Sequence, residues 1–353
     1  MNSFERRKTR QVLAGSVPIG GGAPVSVQTM TKTKTSDREA TIAQILRCAE
    51  AGADIVRVTV NDDSAAEAMK DICAAAPLPV VADIHFNYRH AIAAINAGVA
   101  KVRINPGNIG SEVRIKAVLT RAAEAGIPIR IGVNSGSLEE DILDKYGYPT
   151  AEALYDSAMR HSEIAEKFGF SNIVIAVKSS CVPLMIKAYR LIAANTDYPL
   201  HLGVTEAGTE FAGTIKSSVG IGALLSEGIG DTIRVSLTDA PEKEVKAGIE
   251  ILKSLGLRQK GIEIISCPTC GRLENDLPRI VKDLERSLNG IKKNISISVL
   301  GCAVNGPGEA READIGVACG RKKAIIYLKG KLYKTIGEDE VTGEVTRLAE
   351  TSF

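Results

Sequence analysis

Between residues 25 and 240, apolar and polar positions recur in one order: a helical stretch ending in a small residue and glycine, a short β-branched run, then a polar cluster. AEAGADIVRVTVND, AINAGVAKVRINPGN, AEAGIPIRIGVNSGS, AEKFGFSNIVIAVKSS and LSEGIGDTIRVSLTD all follow it. The glycine supplies a left-handed helix stop, and the Val/Ile run fits a strand buried on both faces, as parallel sheets require. Adding VSVQTM (25–30), PVVADIHF (79–86) and LHLGVTEAG (200–208) gives eight strands with helical patterns between them. That pattern predicts an α/β fold, an N-terminal (β/α)8 TIM barrel with its active site at the C-terminal strand ends. An open doubly wound sheet is the alternative. It would need a G-x-G-x-x-G turn leading from the first strand into a helix, whereas GGGAP (20–24) precedes that strand.

Beyond the eighth strand, Asp239 and Pro241 read as the N-cap and first-turn proline of a helix running to Gly256, and RQKG (258–261) reads as a linker. From 262 to 353 the runs IEIISC, ISISVLG, DIGVAC and AIIYLKG surround a helical pattern near 276–289, which predicts a small α+β domain. The expected domains are therefore 1–257 and 262–353.

Composition narrows the class. Hydrophobic residues at 44% and charged residues at 24% are ordinary for a soluble globular protein, and no apolar run approaches the roughly 20 residues of a membrane span. The opening MNSFERRKTRQV resembles neither a secretory signal nor an anchor, so the expected compartment is cytoplasmic, with no membrane partner. In a reducing compartment, seven cysteines point to thiols or metal ligands before disulfides. A net charge of +2, 4% aromatic residues and no Trp argue against a nucleic-acid partner.

The strand ends carry the candidate chemistry: Arg57, Asp83 with His85, Arg103 with Asn105, Arg130 with Asn134, Lys178, Glu206, and Arg234 with Ser236. In a closed barrel these converge on one mouth, where five cations would repel one another beside apolar filling. A bound phosphate or diphosphate resolves that conflict, since Arg offers a planar fork and Lys a point charge. For any one of these cations, solvation or pairing with a nearby carboxylate is the plainer reading; the recurrence at equivalent positions favours the ligand. Lys178 is also placed where an aldolase would form a Schiff base, and the cations around it would lower its pKa. His85 is a candidate acid or base, or a structural hydrogen-bonding group. Glu206 stays ionised among empty cations and gains a proton more easily once an anion neutralises them.

Cys267-Pro-Thr-Cys270 follows one predicted strand and Cys302 another, so three thiolates can reach one metal centre. Glu309, after the turn Asn305-Gly306-Pro307-Gly308, is placed to supply an oxygen ligand more labile than thiolate, leaving one iron open to substrate. A structural zinc remains the alternative. Cys319 reads as a strand residue, Cys181 as a loop thiol, and Cys48 and Cys73 as helix-face core residues.

CPTCGR and GCAVNGPGEA, behind a barrel carrying VQTMT, RVTV, DIHF, KVRINPGN, GVNSGS, VKSS, VTEAG and RVSLT, resemble the 4-hydroxy-3-methylbut-2-enyl diphosphate synthase family over nearly the whole chain, in its bacterial two-domain form. The resemblance implies an iron-sulfur oxidoreductase of isoprenoid precursor synthesis that opens 2-C-methyl-D-erythritol 2,4-cyclodiphosphate reductively. It implies a 4Fe-4S cluster on Cys267, Cys270, Cys302 and Glu309, and Glu206 as proton donor. It assigns the diphosphate to Arg57, Arg103, Arg130, Lys178, Arg234 and Ser236, with Asn134 and His85 nearby. It further implies flavodoxin or ferredoxin as electron donor, and a head-to-tail homodimer in which one chain's cluster domain caps the other's barrel. A class I aldolase acting through Lys178, or a zinc-stabilised phosphate-binding protein, are the readings from other classes.

Overall fold

A computed structural model describes residues 5–104, 109–258, 261–291, 293–302, 304 and 306–353. Asn105 and Asn305 lie outside the described residues. The chain divides into two compact units, Met1–Arg258 and Gln259–Phe353. Arg258 belongs to the first by its bonds, donating from Nη1 to Asp54 Oδ2 at 2.8 Å and from Nη2 to the Gly52 carbonyl at 3.1 Å, so it is an anchor of the barrel where the sequence suggested a linker.

The first unit contains β1 (Gln11–Ala14), β2 (Val17–Gly20), β3 (Ser26–Met30), β4 (Ile55–Thr59), β5 (Val80–Asp83), β6 (Lys101–Ile104), β7 (Ile129–Asn134), β8 (Ile173–Lys178), β9 (His201–Leu202) and β10 (Thr232–Ile233). β3 to β10 form one parallel sheet in the order β8-β7-β6-β5-β4-β3-β10-β9. Its ends meet at a parallel bridge between Ile175 and Leu200, with the Ile175 N–H donating to the Pro199 carbonyl at 3.0 Å. All eight strands of the expected TIM barrel are present, and the last two are only two residues long. Helices separate them, and glycine stops such as Gly52 (φ +94°) and Gly126 (φ +68°) end helices in the left-handed region as the repeat requires.

One helix boundary differs from expectation. Helix Pro241–Ser254 does begin on proline, but its N-cap is Ala240, and Asp239 lies one position further out, where its Oδ1 accepts from the Ala240 N–H at 2.7 Å. The β1–β2 hairpin escapes the repeat altogether. Its strands pair antiparallel around Gly15 (φ +60°), and Val12, Ala14 and Ile19 pack on Ile55, Val81 and Val174, the apolar layer at the N-terminal end of the barrel lumen. The alternating QVLA and VPIG runs around a two-residue Gly-Ser turn are the hairpin signal that marks it.

The second unit holds β11 (Ile262–Ser266), β12 (Ile295–Leu300), β13 (Ile315–Cys319), β14 (Lys323–Leu328) and β15 (Lys331–Gly337) in chain order across one sheet. β11, β12 and β13 run parallel, and β14 and β15 are antiparallel additions. Helices Leu277–Ser287 and Val341–Thr351 pack their apolar stripes on this sheet, burying Leu284, Ile297, Val317 and Leu348 in one core.

Candidate active site

Strand alternation sends every second side chain into the barrel lumen. The register places Arg57 opposite Val81, Asp83 opposite Arg103, Arg103 opposite Arg130, and Asn134 opposite Lys178. Because neighbouring barrel strands are staggered, these cations occupy several depths. Arg130 is the second residue of β7, 2% exposed, and so stands inside the barrel and not at a strand end as the sequence suggested. Arg57, Arg103 and Lys178 are also buried, while Arg234 and Ser236, just past β10, are half-buried.

The arrangement is strongly cationic. Asp83 is shared by Arg103, whose Nη1 donates to Oδ1 at 2.8 Å, and Arg57, whose Nε lies 3.5 Å from Oδ2. Burial alone would raise the Asp83 carboxyl, but Arg57, Arg103 and Arg130 overcome it and hold it below the usual carboxylate range. Arg234 reaches Glu244 at 3.4 Å, and Lys32 reaches the same carboxylate at 3.1 Å. Among the described residues, Asp83 and Glu244 are the carboxylates that pair with the lumen cations. Glu244 was not singled out in the sequence, because it lies on a helix four residues into an ordinary amphipathic pattern.

What remains unneutralised is aimed inward. Arg103 Nε, Arg130 Nε and Nη1 and Arg234 Nε are buried donors without a protein acceptor. Burial, then the neighbouring arginines, pushes Arg57 down to about 10 and lowers Lys178 well below the ordinary lysine value. The same causes act on Arg130, which stays protonated because a guanidinium is not deprotonated in proteins. Two glycines give these side chains room. A Cβ on Gly132 would stand 2.7 Å from Arg103 Nε, and one on Gly203 would stand 2.8 Å from Lys178 Nζ and 2.6 Å from the Arg234 carbonyl. One glycine within β7 and one just past β9 thus leave clearance for cations, which suits a polyanion entering between them.

Three polar side chains stand at the rim. His85 Nε2 lies 4.0 Å from Asp83 Oδ2 and lines a polar recess with Thr33, Thr35, Thr59 and Asn61. Asn134 is half-buried beside the Lys178 ladder position. Glu206 is exposed and holds φ +51°, a left-handed conformation that costs a non-glycine residue roughly 1–2 kcal/mol. Strain of this kind persists where the surroundings fix the backbone, and it concentrates at functional sites.

In the second unit, Cys267 follows the end of β11 and Cys302 the end of β12, so the parallel sheet brings both to one edge. The Gly301 N–H donates to Cys267 Sγ at 3.3 Å. The Arg272 guanidinium is raised by its hydrogen bond to Cys270 and by the charges of Cys270, Cys302 and Cys267, so one cation lies within electrostatic reach of all three sulfurs. The Arg272 backbone N–H and then its guanidinium lower the Cys270 thiol in turn. Glu309 closes the short helix Gly306–Glu309 that follows Cys302. Among the described residues no group of three or more His, Cys, Asp or Glu side chains is arranged to hold a metal ion. The chemistry of the donor set nevertheless fits a thiolate-bound centre, because Cys267 and Cys270 accept backbone N–H bonds and Arg272 lies within electrostatic reach of all three sulfurs. Cys48 and Cys319 are buried, and burial pushes both thiols up to about 12, so they serve as core residues; Cys181 is exposed.

The GcpE TIM-barrel domain matches residues 9–249, and the GcpE protein C-terminal domain matches residues 263–351. The chain belongs to the GcpE family. Among GcpE relatives, the 4-hydroxy-3-methylbut-2-en-1-yl diphosphate synthase (flavodoxin) of Clostridium perfringens is 55% identical over 99% of this chain and 100% of that one. The protein of the same name from Aquifex aeolicus is 53% identical over 98% and 96%. Among solved structures, the sialic acid synthetase of Leptospira borgpetersenii superposes with a TM-score of 0.52 at 13% identity, covering 82% of this chain and all of that one, a likeness of fold alone. GcpE membership accounts for both units together, since each matches its own domain of one family. No helix among the described residues is long and apolar enough to cross a membrane.

Proposed function

We propose that this chain is an iron-sulfur 4-hydroxy-3-methylbut-2-en-1-yl diphosphate synthase, which opens 2-C-methyl-D-erythritol 2,4-cyclodiphosphate reductively and releases water. The observation that carries this reading is a lumen of cations with unpartnered buried donors in one unit of a chain whose other unit sets Cys267 and Cys302 at one sheet edge, with Arg272 in electrostatic reach of both and of Cys270. Arg57, Arg103, Arg130, Lys178, Arg234 and Ser236 bind the diphosphate. Their fixed charges stabilise it as its bond to carbon breaks, and because burial already holds them in place, little reorganisation accompanies the reaction. Asn134 and His85 contact the ligand from the rim. Glu206 carries the proton delivered to the departing hydroxyl.

Cys267, Cys270, Cys302 and Glu309 would hold a 4Fe-4S cluster, which supplies single electrons when bound. Flavodoxin, named for the relatives, is the donor class expected here, with ferredoxin as the alternative. A head-to-tail homodimer, in which the cluster unit of one chain covers the barrel mouth of the other, would exclude water during the reaction. The working compartment is the cytoplasm.

Anaerobic purification followed by iron and sulfide analysis tests the reading, with Cys267→Ser alongside. Iron and sulfide that fall in the variant, together with turnover of the cyclic diphosphate by reduced flavodoxin, are expected. Stoichiometric zinc in their place would sink it. The lowered Lys178 amine also suits a Schiff-base nucleophile. Borohydride trapping of a carbonyl substrate on Lys178 is the outcome that would favour an aldolase.

A further inference from the structure

Below the cations of the mouth, the middle of the lumen is polar where barrels of this kind are filled by Val, Ile and Leu. Ser26 and Gln28 from β3, Lys101 from β6, Arg130 from β7, His201 from β9 and Thr232 from β10 are all buried there. Ser26 Oγ, both amide atoms of Gln28, Lys101 Nζ, both ring nitrogens of His201 and Thr232 Oγ1 have no protein hydrogen-bond partner. Lys101 is the most exceptional of them, because it is 0% exposed and no carboxylate pairs with it among the described residues. It lies two positions before Arg103 on the same strand face and opposite Val81.

We propose that Lys101 is a further ligand-linked residue of the anion site: an uncharged amine in the empty barrel that takes up one proton from solvent when a diphosphate enters the mouth. This rests on the anion-site reading given above. The charged groups of the lumen are Arg57 on β4, Arg103 beside it on β6, Arg130 on β7 and Arg234 after β10; the titratable neighbours Lys178 on β8 and His201 on β9 are both lowered by burial and by Arg130. Asp83 is already held by Arg57 and Arg103, and Glu244 by Arg234 and Lys32. A charged Lys101 would add a further cation, fully buried and with no carboxylate partner among the described residues. Desolvation, then Arg130 and Arg57, lowers its pKa well below the ordinary lysine value. His201 is lowered in the same way by burial, Arg130, Lys178, Lys101 and Arg57, so it too is neutral in the empty barrel.

A diphosphate on Arg57, Arg103 and Arg130 reverses the sign of the local potential and raises the Lys101 amine toward its ordinary value. Binding therefore consumes a proton at any pH between the free and the bound pKa, and affinity falls as pH rises through that interval. The device favours polyanions, since a singly charged ligand would not offset the surrounding guanidinium groups.

Titration calorimetry of the holoenzyme with inorganic pyrophosphate, in buffers of different ionisation enthalpy, counts the protons taken up. The ionisation of the probe itself cancels in the difference between two proteins. Wild type is expected to take up more protons than Lys101→Met, which still binds the probe but with a flatter dependence of log Kd on pH. Lys101→Met should be at least as heat-stable as wild type, because it removes a buried amine without a partner; a marked fall in Tm would make Lys101 structural and overturn the inference. Equal uptake in both proteins, or a loss seen in His201→Gln and not in Lys101→Met, would overturn it as well while leaving the anion site intact. Failure of the wild type to bind pyrophosphate would overturn the anion site itself, and this inference with it.

Discussion

The proposed roles of Glu206 and Asp83 rest on two different single-residue environments. Glu206 holds φ +51° just past β9 and is exposed, so a change confined to its side chain disturbs no buried packing. Glu206→Gln should bind the cyclic diphosphate and retain the cluster yet lose turnover by about a hundredfold or more, the range of a lost general acid. Near-normal turnover would remove Glu206 from the reaction. Glu206→Gly, free of the left-handed penalty, should be equally inactive and no less stable in urea.

Asp83 is 2% exposed, and its folded-state carboxyl lies below the usual value of about 4. A depressed carboxyl contributes stability above its unfolded pKa and loses it as pH falls through the folded one, so the barrel should weaken progressively below about pH 4. Asp83→Asn leaves two buried guanidinium groups without their shared partner. It should cost about 3 kcal/mol or more at neutral pH and flatten the acid limb of a stability-versus-pH profile. Both residues were visible in the sequence as strand-end carboxylates. Their environments differ: Asp83 is a buried counter-ion to Arg57, Arg103 and Arg130 from three other strands, whereas Glu206 is an exposed group in a strained backbone conformation.

At the scale of elements, the βα repeat was legible because helix stops and β-branched runs are local signals. All eight barrel strands stand where periodicity puts them. The β1–β2 hairpin was missed because it precedes the first βα repeat and shares none of its helix-stop pattern, and its two four-residue runs show which face is buried only once the partner surface is known. That surface is the apolar layer of Ile55, Val81 and Val174. Ile19→Ala should open a cavity there and cost about 3 kcal/mol by urea denaturation, with the mouth still able to bind pyrophosphate. Gly203→Ala tests the opposite end of the lumen. Its methyl would meet the Arg234 carbonyl and Lys178 Nζ, so anion affinity should fall together with stability, whereas unchanged affinity would show that Lys178 does not need the clearance. Arg130 was assigned to a strand end for an equally physical reason: alternation gives the face of a residue, but barrel stagger sets its depth.

At the scale of the whole molecule, the proposed reaction divides its parts between two units joined near Arg258. If each active site takes its barrel from one chain and its cluster from another, Glu206→Gln and Cys267→Ser are defects in different halves of one site. Mixing the two inactive proteins under conditions that exchange subunits should then restore activity to about a quarter of wild type, since half the dimers are mixed and each has one intact site. No recovery despite demonstrated exchange would place barrel and cluster of a working site in the same chain.

The sequence by itself determined the barrel, the second α+β unit, the family, and which residue types meet at the mouth, because helix stops, strand runs and cysteine spacing are encoded within short stretches. Tertiary structure alone decided which cations are neutralised, which stand unpartnered, and that Lys101 and His201 share the lumen with Arg130. Those facts depend on the closing of the sheet and on the stagger between strands. Charge balance in a low-dielectric interior is a property of groups distant in the chain, so no local pattern records it.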